Sequence, residues 1–229
     1  MPITCNMLVC ILASTTHLNL SSKLNFEAAT MTAFSEFLRC REFTIQAGKA
    51  FNPSVHITRS SMQFMPSIAA PSHVVLTVLS SKMDPFRKGV AITIASAPGA
   101  HTCIIAALKS LFKHVEQPPE SPIFFQDDGM PMSHNFFSSQ VRSGLTRAGF
   151  NTSKFSGHSF GHGAASLATA IGFSDYEIQL LGRWCSDSYK LYIDNSPACL
   201  LSLSSHLLWA IPHGQDYKPP SLLLPSYLA

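Results

Sequence analysis

Residues Lys154 to Ile193 read KFSGHSFGHGAASLATAIGFSDYEIQLLGRWCSDSYKLYI, and this stretch decides how the rest of the chain is read. Gly163 to Ile171 is a run of small residues closed by Gly172, which predicts a helix packed closely against its neighbours. Ser174 followed by Glu177 has the spacing of a capping box, opening a helix that carries Tyr176, Ile178, Leu180 and Leu181 as far as Gly182. Ser186 then begins a short helix holding Tyr189 and Tyr192, and Pro197 starts a further segment through Trp209. The last third of the chain therefore reads as helical.

Working upstream, Asn135 to Ala148 predicts a helix closed by Gly149, preceded by the turn Asp127-Asp128-Gly129 and the apolar run Ile123 to Phe125. Cys103 to Val115 places Ile104, Ala107, Leu108, Leu111, Phe112 and Val115 on one stripe, and Pro118 and Pro119 follow it. Between Val55 and Ser96 the pattern turns β-branched: Val55 to Thr58, His73 to Leu79 and Val90 to Ile94 read as three short strands, the last two joined through Ser80 to Gly89. Leu24 to Phe43 lacks Gly and Pro and spaces Phe26, Met31, Phe34, Phe37 and Leu38 helically, so one helix is expected to end near Arg39 to Glu42. The fold class is mainly α with a small three-stranded antiparallel sheet, an α+β arrangement.

Composition sets outer bounds. The 229 residues are 46% hydrophobic and 13% charged, enough for one core, and the net charge of +3 is compatible with DNA without arguing for it. Six cysteines form no CxxC pair, so neither a zinc site nor a disulfide framework is suggested. The apolar stretch Met7 to Ala13 has no preceding Lys or Arg and is too short to span a membrane, so a membrane partner is not expected. Past Ile211, prolines and weak periodicity suggest a loose tail.

Three clusters in order carry the chemistry: Leu38-Arg39-Cys40-Arg41-Glu42, an LRxxE element; Ser81 to Gly89, SKMDPFRKG; and the stretch quoted above. Together they resemble the catalytic domain of tyrosine recombinases, the phage-integrase family, whose pattern is HxxR, a small-residue helix, LGH or LGRW, then YI. In particular the chain is similar to the recombinases of DIRS-like and crypton-like transposable elements. The resemblance covers residues 2 to 203.

That resemblance implies the DNA breaking-rejoining fold and metal-free phosphoryl transfer, in which a tyrosine hydroxyl attacks a DNA phosphodiester and leaves a 3′-phosphotyrosine and a 5′-hydroxyl. Guanidinium groups suit the charge that builds on the non-bridging oxygens, a lysine can protonate the leaving oxygen, and a histidine can hydrogen-bond or shuttle protons. Carried over by position, Arg39 stands at the first arginine, Lys82 at the hairpin lysine, His158 at the histidine of HxxR, Arg183 at the late His or Trp position beside Trp184, and Tyr192 at the nucleophile. Gly161 departs from the pattern: it stands where the family has its second arginine, so HSFR has become HSFG. Loss of one such group costs roughly 10² to 10³ in rate for an oxyanion donor, or about 10³ to 10⁵ for an arginine on a transferring phosphoryl group. Arg183 and His162 are the candidates to fill part of the gap.

Blander readings stand beside these. Tyr189, one helical turn from Tyr192, is the rival nucleophile; Arg39 at a helix end could pair with Glu42; Lys82 could belong to a solvated basic turn. His158 and His162 are four apart, yet Ser159 stands where a zinc-binding HExxH has its glutamate, so no metal and no cofactor is expected. The expected organisation is a catalytic domain over 1–209 and a Pro-rich tail over 210–229, with the family's preceding DNA-clamping domain absent. The expected partners are double-stranded DNA and further copies assembled on it, and a nuclear location follows only from that substrate. Two functions compete: a recombinase of DNA recombination and integration, impaired at Gly161, or a catalytically dead DNA-binding or interaction domain, a mobile-element relic.

Overall fold

A computed structural model of the chain describes residues 1–79, 89–97 and 103–183, together with residues 201, 204, 205, 207 and 208. Lys82 and the remainder of 80–88, Trp184, Tyr189, Tyr192 and the tail at 210–229 lie outside these. The described residues form a mixed α/β structure, seven helices with one three-stranded antiparallel sheet.

The helices are α1 (Cys5–Ala13), α2 (Leu20–Ser35), α3 (Cys40–Phe43), α4 (Ile104–His114), α5 (His134–Arg147), α6 (Ser159–Ala170) and α7 (Asp175–Gly182). The strands are β1 (Met62–Met65), β2 (His73–Val78) and β3 (Val90–Ala95), in spatial order β1-β2-β3. Val74, Leu76 and Val78 alternate inward along β2, and the register pairs Leu76 with Met62 on one side and with Ile92 on the other, so one face of the sheet is continuous apolar surface.

Helix α2 is the centre of the core. Phe26, Ala28, Ala29, Met31, Ala33 and Phe34 are all buried, as are Thr32 and Ser35, whose hydroxyls donate back to the carbonyls of Ala28 and Met31. Phe137 of α5 links Phe26, Phe43 and Phe160 at ring-centroid distances of 5.6, 5.0 and 5.5 Å, joining three helices and the α3 turn. The apolar stretch near the N-terminus is α1, which buries Met7, Leu8 and Ile11. No described helix is long and apolar enough to cross a membrane.

Two expectations are corrected. The helix read as running to Arg39–Glu42 ends at Ser35: the Phe37 N–H donates to the Phe34 carbonyl, the Leu38 N–H to Ala33, and Phe37 takes a left-handed φ of 53°. This is a Schellman closure with phenylalanine where glycine is usual, and it frees Arg39 to start a separate turn, α3. The strand expected at Val55 to Thr58 is not in the sheet. Thr58 instead bridges Pro122, and its backbone N–H is held by Ser61 Oγ at 3.1 Å, closing a 3-10 turn over 59–61 so that the first strand begins at Met62.

Helices α2 and α6 begin at Leu20 and Ser159, four residues before the starts expected at Leu24 and Gly163, and α1 is not among the expected helices, while the remaining boundaries agree within a residue or two. Gly149 and Gly172, with φ of 82° and 93°, close α5 and α6, and the Ser174–Glu177 capping box is present with Glu177 Oε2 2.7 Å from the Ser174 N–H. Cys5, Cys10, Cys40 and Cys103 are free thiols.

Candidate functional site

The site begins with the turn at Glu36 to Glu42. Because Phe37 reverses the chain, Arg39 becomes the N-cap residue of α3, and its backbone N–H donates to Glu42 Oε2 at 2.9 Å. The Arg39 guanidinium lies 3.7 Å from Glu42 Oε1. Glu42 is nearly buried, and its other oxygen is 3.9 Å from Arg183 Nη2. One carboxylate thus sits between two guanidiniums that are far apart in sequence.

Arg183 ends α7 in a left-handed conformation, φ 53°. Its Nη1 donates to the Glu36 backbone carbonyl at 2.9 Å, tying the end of α7 to the end of α2. Burial lowers the Arg183 pKa; Glu42 and then Glu36 oppose that shift, and Arg39 adds to it. The group stays cationic, since a guanidinium does not lose its proton in a protein. The Glu36 carboxyl is buried, which pushes it up to about 7 against the pull of Arg183 and a hydrogen bond from Ser204. Ser204 Oγ also accepts from the Ala95 N–H at 3.1 Å, so residue 204 docks between the end of α2 and the end of β3.

His158 is the N-cap of α6 and is exposed. It shares a cleft of about 450 Å³ with Arg39, Cys40, Arg41, His134 and Gly157. The chain passes close at Gly157, where a β-carbon would meet His134 Nε2 at 3.5 Å and Cys40 Cβ at 3.6 Å, while the Gly157 carbonyl accepts from the Cys40 N–H at 3.3 Å. His134 is brought there by a short backbone pairing in which Ile45 N–H donates to Met132 and His134 N–H donates to Ile45, both at 2.9 Å. Burial pushes the Cys40 thiol up to about 12, with Glu42 adding to the shift, so it is not a thiolate nucleophile at neutral pH.

Of the five residues singled out from the sequence, three are described. Arg39 and His158 line one cleft, and Arg183 reaches Arg39 through Glu42. Lys82 and Tyr192 lie outside the described residues. Gly161 is buried on α6, where a β-carbon would stand 3.3 Å from the Phe37 carbonyl oxygen. His162 is exposed one turn beyond His158, their rings 6.3 Å apart. Among the described residues no group of three or more His, Cys, Asp or Glu side chains could hold a metal ion.

Sequence reading placed Arg39 beside Glu42 as an alternative but did not foresee that Glu42 joins a second arginine, nor that Arg41 and His134 border the same cleft. The i, i+3 spacing in LRxxE was the available signal for the first. The second depends on the Ile45 pairing, which has no sequence mark. Comparison with protein-family models finds none that matches the chain, and no curated protein matches it.

Proposed function

We propose that this chain is a DNA-binding domain of tyrosine-recombinase type, with the DNA breaking-rejoining fold, in which strand cleavage is impaired by the glycine at position 161. The observation that carries the reading is that Arg39 and His158 line one cleft, while Arg183 reaches the back of the same α3 turn through Glu42. These residues come from three separated stretches of sequence, and the family pattern assigns all three to a single phosphate. A cleft whose described lining holds arginine and histidine donors and no carboxylate suits an anionic phosphodiester. In the full reaction the Tyr192 hydroxyl forms the bond to phosphorus, the bond to the 5′-oxygen breaks, and Lys82 supplies the proton to that oxygen.

Gly161 favours the second reading, a domain that binds DNA without cutting it. The experiment that separates them incubates the protein with a pool of nicked duplexes of random sequence and looks for a covalent protein-DNA adduct under denaturing conditions. An adduct that disappears in Tyr192→Phe supports the recombinase; DNA binding that depends on Arg39 and His158 without an adduct supports the binding domain. DNA binding indifferent to both residues removes both readings.

A further inference from the structure

The cleft beside α3 contains more donors than one phosphate calls for. Arg41 is exposed and His134 half-buried, and both line it together with Arg39 and His158. Among the described residues the side chains of Arg41, His134 and His158 have no hydrogen-bond or ionic partner, while Arg39 has only the 3.7 Å contact to Glu42. Two guanidiniums and two imidazoles therefore line a common space, and no acid is among its described lining residues. Unspent donors in a concave site are what an anion requires. The backbone that carries these side chains is held in place, because the Cys40 N–H donates to Gly157 and the His134 N–H to Ile45.

We propose that this cleft holds two neighbouring phosphates of one DNA strand, the first at Arg39 and His158 and the second at Arg41 and His134. The inference rests on the reading of the chain as a DNA-binding domain and adds to it a second, purely positioning contact. Arg39 and Arg41 are two residues apart on a single helical turn, so they reach the cleft from separate places and not as side-by-side neighbours, which suits separate phosphates rather than a fork on one. The partner is the sugar-phosphate backbone, without preference for base sequence at this contact.

The number of phosphates can be counted from salt dependence, since each neutralised phosphate contributes about 0.9 to the slope of log affinity against log salt on duplex DNA. Binding of a labelled duplex would be followed by fluorescence anisotropy over a range of salt for the full chain, Arg39→Gln, Arg41→Gln and the double variant. Each single change is expected to reduce the slope by about 0.9 and the double by about 1.8. His134→Leu is expected to weaken binding about tenfold with an unchanged thermal midpoint, as for loss of a hydrogen bond to a charged group. A slope that Arg41→Gln leaves unaltered while Arg39→Gln lowers it overturns the second phosphate and leaves the proposed function standing. A slope insensitive to Arg39 as well overturns both.

Discussion

The Arg183 guanidinium donates to the backbone carbonyl of Glu36 at 2.9 Å, a hydrogen bond between residues 147 apart in the chain. It joins two helix ends that both finish in left-handed residues, Phe37 and Arg183, each with φ 53°. The turn that presents Arg39 is therefore braced from behind by the same side chain that shares Glu42 with it. Positioning and charge are coupled here: Arg183 holds the frame through the Glu36 carbonyl and shares the Glu42 carboxylate with Arg39.

That coupling gives a test in which backbone and side chain act in opposite directions. Arg183→Ala loses the Glu36 and Glu42 contacts and keeps the left-handed strain, whereas Arg183→Gly loses the contacts but relieves about 1 kcal/mol of strain. Arg183→Gly should therefore unfold at a higher denaturant midpoint than Arg183→Ala, both below the unaltered chain. Equal midpoints would mean that the conformation at 183 carries no cost.

The buried Glu36 carboxyl predicts a pH dependence of stability. Its pKa rises from an ordinary 4.5 to about 7 on folding, so between these values the folded state holds a proton that the unfolded state has lost. The contribution to stability is level below about pH 4.5, falls as pH rises to about 7, and is then level again, amounting to roughly 3 kcal/mol in all. Glu36→Gln, which has no proton to lose, should flatten this part of the profile when urea midpoints are measured from pH 4.5 to 8. A wild-type profile that rises through that window would contradict the assignment.

The features legible in the sequence were those with a local cause. Gly149, Gly172 and the Ser174–Glu177 pair mark helix ends because glycine and a capping box do so by their own chemistry. The α2 terminus was missed because the same Schellman bonds close it with Phe37, a residue that carries no such mark, and the apolar spacing ran on through Leu38. Arg39 and His158, singled out by their motif positions, do line one cleft. The junction of Arg183 with Glu36 and Glu42 depends on tertiary packing of α7 against the α2–α3 turn, which no periodicity reports.

Small residues on α6 answer to packing, and one can be tested directly. A β-carbon at Gly163 would overlap the Ile3 carbonyl, where the chain leading into α1 lies against α6 and Ile3 N–H donates to Ser159 at 3.0 Å. Gly163→Ala should therefore destabilise by about 2 kcal/mol from overpacking, in spite of a helix-propensity gain of about 1 kcal/mol. The measurement is the thermal midpoint. A stabilised variant would show that the segment before α1 can move away at no cost.

Gly161 is a gentler case on the same helix and bears on function. Its β-carbon would stand 3.3 Å from the Phe37 oxygen, so the backbone must yield by a few tenths of an ångström, and that backbone leads to Arg39 two residues later. Gly161→Ala should change the thermal midpoint by only a few degrees, because the propensity gain of about 1 kcal/mol offsets a contact of similar size. Gly161→Arg adds the guanidinium that the HxxR pattern calls for, and is expected to raise covalent adduct formation on nicked duplexes by at least about 10². The rise must vanish when Tyr192→Phe is combined with it. If the alanine variant stays folded and the arginine variant binds DNA but forms no adduct, then the missing arginine is not what limits cleavage, and the impairment lies in the placement of Lys82 or Tyr192.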